Sequence, residues 1–275
     1  MDRRTFLATL TAGAVVSSRL GWGAGDHRKL DKIGVQLYSV RDLMKSDFEG
    51  TLTKVAAIGY REVEFAGLFD HKPQDVRAIL DKNGLSAPSS HVDYKKLGSD
   101  WTKTLDEAHT LGQSFIVCPW VDEDLRKTVD SWKQVGETFN RAAEESKKAG
   151  IQFAYHNHDW EFQKLGNKFL YDLLLEETDP HLVQMELDLF WITKAGQDPL
   201  TYFNRYPGRF PLVHVKDMKK NGEMTEVGNG AIDFKRIFAQ SDKAGIQHYF
   251  VEHDDPKSPL DSIKISFENL QRLRF

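Results

Sequence analysis

Four side chains suited to a divalent ion fall at the tails of four successive strand-like segments: Glu161, Asp188, His214 and Glu252. Three carboxylates and one imidazole form a cage for a hard or borderline ion, provided the four segments deliver their ends to one place. Open positions on such an ion can bind a carbonyl oxygen and a neighbouring hydroxyl, polarising the C=O and acidifying the adjacent C–H. A carboxylate of the site can then move that proton, and Lys216 is the best candidate for stabilising the resulting oxyanion. His91, His156, His158, Glu64 and Trp191 also lie at or just past strand ends and are candidates for substrate contact, as are Gln36, Tyr38 and Trp120. One polar residue at one strand end would mean little, since a single histidine or tryptophan is as readily a packed, hydrogen-bonded structural residue. Four in succession carry the argument.

These residues act together only if the elements beneath them converge. From Lys32 onward, short β-branched and aromatic runs alternate with amphipathic ones, as in repeated βα units. The pattern predicts strands at 33–39, 62–66, 86–91, 115–119, 152–157, 183–188, 212–216 and 249–252. Between them, stripes such as Phe48, Leu52, Val55 and Ile58, or Val129, Trp132, Val135 and Phe139, recur at helical spacing. Gly59, Gly84, Gly112, Gly150 and Gly245 fall where those helices should stop, and Asp233 and Asp261 are candidate N-caps. Eight βα units predict a single (β/α)8 barrel over residues 30–275, close to the roughly 250 residues such a barrel needs. In that fold the strand tails form the active-site mouth. Alternation then points Glu186 with Asp188, His214 with Lys216, and Phe250 with Glu252 and Asp254 to the barrel interior.

Composition sets the outer limits. The 275 residues are 40% hydrophobic and 28% charged, with a formal net charge of -4, which gives no concentrated basic surface for nucleic acid. Cys118 is the only cysteine, so an internal disulfide and a cysteine zinc site are both excluded, and its FIVCPW setting reads as a core thiol. Residues 1–25 have the parts of an export signal: Arg3 and Arg4 before Thr5, Phe6 and Leu7, a short apolar run, then small residues. The paired arginines resemble the twin-arginine type and predict a periplasmic protein, with no segment long enough for stable membrane insertion.

The segments YHNHDWEF, ELDLFW, HVKD with VGNGAIDF, and VEHD resemble the xylose isomerase-like TIM-barrel superfamily, often labelled sugar phosphate isomerase/epimerase. The resemblance spans essentially the whole chain after the leader. It implies one divalent ion held by Glu161, Asp188, His214 and Glu252, with manganese ranked first and magnesium, cobalt and zinc as alternatives. Many epimerases of the family carry the first glutamate on the strand itself, where this chain has His156, so His156 and His158 stand as substitutes for Glu161. In epimerase-like members the metal-binding glutamates are acid and base, roles that fall here on Glu161 and Glu252.

The resemblance therefore implies a metal-dependent isomerase or epimerase moving a proton beside the carbonyl of a small-molecule carbohydrate. The alternative is a lyase or dehydratase that takes the same proton and then expels a β-substituent, from a 3-keto-glycoside or a keto-inositol. A nuclease of the same barrel would need a basic groove that the charge balance opposes, and a catalytically dead carbohydrate-binding barrel would show no bound ion. Barrels of this kind often associate as homo-oligomers.

Overall fold

The alternation of strand-like and helical runs closes into a barrel in the computed structural model, which describes residues 28–98 and 100–275. The expected export signal lies outside the described residues. The eight barrel strands are β1 (Gly34–Gln36), β2 (Glu62–Phe65), β3 (Ser86–Ser90), β4 (Phe115–Cys118), β5 (Gln152–His156), β6 (Val183–Asp188), β7 (Leu212–Val215) and β8 (His248–Val251). All neighbours pair in parallel in the order β3-β2-β1-β8-β7-β6-β5-β4. Closure between β3 and β4 rests on a few backbone bonds: Ser114 N–H donates to Pro88 C=O at 2.9 Å and Val92 N–H to Val117 C=O at 2.8 Å. Pro88 has no N–H to give, so a full ladder cannot form there.

The register of β2 against β3 is also irregular. Glu62 pairs with Ser86 but Glu64 with Ser89, so β3 carries one extra residue. This bulge sets the Ser89 hydroxyl on the Glu64 carboxylate.

Helices cover the outside of the sheet as the apolar stripes predict. Phe48, Leu52 and Val55 are buried on one helix, and Trp132, Val135 and Phe139 on another, in one core cluster between sheet and helices. Gly84 and Gly112 end their helices in the left-handed conformation (φ 62° and 73°), where a side chain would be strained. Asp233 caps its helix as expected, accepting from the Arg236 N–H. Asp261 does not: the last helix starts at Pro259, whose fixed φ suits the first turn, and Asp261 accepts instead from the Ser258 hydroxyl at 2.6 Å.

Inside the barrel, Phe115, Val117, Ala154, Leu212 and Phe250 make a separate apolar floor. Gly34 leaves room for it, since a Cβ there would lie 2.5 Å from the Phe250 ring. Above the floor the interior turns polar, with Gln36, Glu64, Glu186, Asp188, His214 and Lys216 all buried. Burying that many polar and ionisable groups is costly unless they are paired or bind something.

Candidate metal centre and active site

Two layers of side chains stand above the apolar floor, sharing His214. The upper layer gathers His156, Asp188, His214 and Glu252, and the lower one Glu64, His91, Glu186 and His214; in each, one ligand atom per residue lies within 4.8 Å of the others. In the upper layer His156 Nε2 is 3.2 Å from Asp188 Oδ2, and His214 Nδ1 is 3.7 Å from that oxygen and 2.7 Å from Glu252 Oε2. Despite that approach, neither His214 Nδ1 nor Glu252 Oε2 has an aligned hydrogen bond, and His156 Nδ1 is likewise unpartnered. His214 Nδ1 and Glu252 Oε2, buried, close together and without an aligned hydrogen bond, are what a metal cage presents. The other Asp188 oxygen is committed: it caps the helix Leu189–Lys194, accepting from the N–H groups of Phe190 and Trp191 at 2.9 and 2.8 Å. Capping fixes the carboxylate so that Oδ2 faces the cage.

Lys216 enters the same space. Its Nζ lies 3.1 Å from Asp188 Oδ2, 2.7 Å from Glu252 Oε2 and 2.7 Å from Asp254 Oδ1, and not against Asp217 or Glu186. Burial opposes its charge, but Asp188, Glu252 and Asp254 outweigh that and hold the ammonium well above its ordinary pKa. Burial likewise opposes the Glu252 carboxylate, yet Lys216 and His214 hold its pKa well below the usual range. In the lower layer burial opposes a charge on His91, but Glu64 and Glu186 outweigh it and lift the imidazole to about 9. Asp217 serves the loop instead: its carboxylate accepts from the N–H groups of Met218, Gly228, Gly230 and Ile232, at 2.8 to 3.2 Å, and so shapes the VGNGAIDF segment.

Glu161 is not in the cage. It sits on a single turn, Trp160–Phe162, fully buried, accepting from the Tyr155 hydroxyl at 2.7 Å and the His158 N–H at 2.8 Å. Tyr155 points to the helix side of β5 and His156 to the barrel interior, so a carboxylate bound to Tyr155 faces away from Asp188 and Glu252. The structure therefore does not bring Glu161 to the other expected ligands; His156 stands with Asp188, His214 and Glu252 instead. Burial pushes the Glu161 carboxyl up to about 8, against the hydrogen bonds from Tyr155 and the backbone. Glu64 also departs from expectation. It is sealed beneath the cage at 0% exposure, too deep for the substrate contact first assigned to it.

The mouth lies where the strand tails predict it. A cavity of about 590 Å³ opens over the upper layer, its walls including Tyr38, Trp120, Trp191, His158, Lys216 and Glu252. Trp120 is 46% exposed at the rim, with the Arg126 guanidinium 4.0 Å above its ring and 3.5 Å from that of Trp160. His158 stands between Trp120 and Trp191, with ring centroids 5.0 and 5.6 Å away; burial, then Lys216, lowers its pKa to about 3, so it is neutral. His91 and His156 reach the floor of this cavity. A second cavity, about 660 Å³, opens at the opposite end of the barrel beside Glu62 and His248, away from both donor layers. Cys118 is buried, which raises its thiol pKa and removes it as a nucleophile at neutral pH.

A family model described as the xylose isomerase-like TIM barrel matches residues 52–274. The chain belongs to that family. Among solved structures, one described as a sugar phosphate isomerase/epimerase from Parabacteroides distasonis ATCC 8503 is 29% identical. It superposes with a TM-score of 0.78, covering 90% of this chain and 98% of that one. The inosose dehydratase of Lacticaseibacillus casei is 25% identical over 77% of this chain and 84% of its own length. The IolI protein, solved with a bound zinc atom, shares the fold at 14% identity and a TM-score of 0.68, covering 86% of this chain and 96% of that one. This xylose isomerase-like barrel is an enzyme, and its relatives are compatible both with isomerase or epimerase activity and with lyase activity. Each donor layer groups residues that could hold a metal ion. Among the described residues no helix is long and apolar enough to cross a membrane.

Glu186 is the residue that sequence reasoning placed correctly and did not use. Its shared face with Asp188 in MELDLFW put it inside the barrel, and it lies one layer deeper, 2.8 Å from His91 Nε2.

Proposed function

We propose that this enzyme is a metal-dependent lyase of keto-carbohydrates, which removes the proton beside a carbonyl and then expels the β-substituent. The observation that carries this reading is that the cage offers one glutamate, Glu252, and a neutral imidazole, His156, where a two-glutamate epimerase has a second carboxylate. Epimerisation needs removal of a proton on one face and delivery on the other, which a facing pair of glutamates provides. Elimination needs one base. The relatives described as inosose dehydratases point the same way.

The residues divide the work as follows. A divalent ion held by His156, Asp188, His214 and Glu252 would polarise the carbonyl and acidify its neighbouring C–H. Glu252 is ionised through the neutral range and takes the proton from that carbon. Lys216, cationic and held by three carboxylates, stabilises the enolate oxygen. The electron pair then forms the new C=C bond as the β C–O bond breaks, and the leaving oxygen is protonated to water or an alcohol. Trp120 and Trp191 offer rings for the apolar faces of the substrate. Two imidazoles and two carboxylates weigh against magnesium and favour manganese, cobalt or zinc, with manganese kept first. The leader pattern of residues 1–25 supports a periplasmic setting, which cell fractionation checks.

Incubating the metal-loaded enzyme with a keto-inositol, a 3-keto-glucoside and a keto-hexose in D2O tests the reading. An unsaturated ketone with released water or aglycone supports elimination. An isomeric sugar carrying solvent deuterium would establish isomerisation or epimerisation, the second reading, which the 29% identical neighbour favours. Neither an unsaturated ketone nor an isomeric sugar from any of the three substrates would overturn both.

A further inference from the structure

The lower layer holds ligand-type residues for which the proposed reaction has no role. Glu64 Oε2 receives Gln36 Nε2 at 2.8 Å and His214 Nε2 at 2.7 Å, with His91 Nε2 at 3.3 Å, while the Ser89 hydroxyl donates to Oε1. The direction of these bonds is fixed from the backbone. The Tyr38 N–H donates to Gln36 Oε1 at 3.0 Å, so the amide of Gln36 must present its nitrogen to Glu64. A carboxylate faced by an amide N–H, a hydroxyl and two imidazoles is an acceptor on every side. The proton between Glu64 and His214 therefore sits on Nε2, which leaves Nδ1 as the atom turned to the upper layer.

We propose that Glu64, oriented by Gln36, is a positioning residue that holds His214 with its proton on Nε2, so that Nδ1 binds the metal, and that the lower layer is this support and not a second ion site. The inference rests on the metal-site reading above but not on the reaction assigned to it. Two features separate the layers. Glu64 is already met by the Gln36 amide, the Ser89 hydroxyl and the His214 imidazole, and Glu186 Oε2 by His91 at 2.8 Å, which leaves Glu186 Oε1 as the lower carboxylate oxygen without a partner. The upper layer, by contrast, leaves His156 Nδ1, His214 Nδ1 and Glu252 Oε2 unpartnered. The lower layer has one such atom and the upper layer three, of which Glu252 Oε2 also lies 2.7 Å from Lys216 Nζ. Carboxylate–histidine–metal relays of this form fix ring orientation, and their loss weakens metal binding about 10- to 100-fold.

The test reads metal, not turnover. Full-length protein is titrated with Mn2+ and with Zn2+ against a competing chelator, and crystals soaked in Mn2+ are measured for anomalous scattering. One ion per chain is expected, beside His214 Nδ1. Glu64→Gln, which offers His214 an amide in place of an obligate acceptor, should raise the dissociation constant about 10- to 100-fold with one site retained. Glu62→Gln, on the same strand but facing the opposite end, is the matched control and should leave it unchanged. Two ions per chain, an anomalous peak between Glu64 and Glu186, or an unaltered dissociation constant in folded Glu64→Gln would overturn the proposal. No ion in either layer of the wild type would remove the metal site and the support together. Should Glu64→Gln not fold, the wild-type anomalous map still decides.

Discussion

Replacing Glu161 by glutamine separates a buried structural carboxyl from a metal ligand. The side chain is fully buried and its pKa is raised to about 8 from an ordinary 4.5, burial being the largest cause. Below pH 4.5 the group is protonated in the folded and unfolded chain alike and affects stability little. As pH rises from 4.5 to about 8 the unfolded chain gives up the proton and the folded chain keeps it, so stability falls; above that range the loss is constant. At about 1.4 kcal/mol per pH unit the full loss has a ceiling of roughly 5 kcal/mol. Glutamine carries no such cost and can keep both contacts, accepting from the His158 N–H and donating to the Tyr155 oxygen, since a phenol both gives and receives. Glu161→Gln is therefore expected to match the wild type near pH 4.5 and to exceed it by several kcal/mol at about pH 8.5. Urea unfolding of both proteins across that range measures the difference, and pH effects common to the two cancel. A stability difference independent of pH would refute the assignment of a raised pKa. Loss of metal binding in the folded variant would refute the exclusion of Glu161 from the cage.

Two further outcomes follow from contacts in the site. Lys216→Met strands Asp188, Glu252 and Asp254 without their shared cation; metal-free protein should lose about 3–5 kcal/mol in chemical denaturation, and turnover should fall by roughly two orders of magnitude or more. A variant as stable as the wild type when stripped of metal would show that the carboxylates do not depend on Lys216. Asp217→Ala deprives four loop N–H groups of their acceptor and should cost roughly 3 kcal/mol, with faster hydrogen exchange confined to residues 228–232. Exchange left slow there would show that the loop holds its shape unaided.

The barrel was legible because most of its strands are short runs rich in apolar or β-branched residues set between helix-like stretches, β3 (Ser86–Ser90) being marked only by its place between two such stretches, and because the face of an inward residue follows from alternation wherever the ladder is regular. Asp188, His214, Lys216 and Glu252 were placed on the right face for that reason. Glu161 was misplaced because alternation stops at the end of β5. Beyond His156 the chain turns, and whether Glu161 swings to Tyr155 or to the cage is decided by a hydroxyl on the far side of the sheet. Glu64 was read as a substrate contact because strand position gives the face of a residue but not its depth. Depth depends on where neighbouring strands start relative to one another, which sequence does not display. The same limit hid Glu186, whose face was clear and whose layer was not.

The extra residue in β3 makes strand length as restrictive as side-chain identity. Glu62 and Glu64 are two positions apart on β2, whereas their partners Ser86 and Ser89 are three apart on β3. With strict alternation a residue three positions beyond Ser86 would face the other way, so it is the bulge that returns the Ser89 hydroxyl to the face of Glu64. Homologues that keep Glu64 in its present setting should therefore tolerate substitutions along β3 far more readily than insertions or deletions. Gap placement in this one strand would sort relatives that share the lower layer from those that share only the barrel.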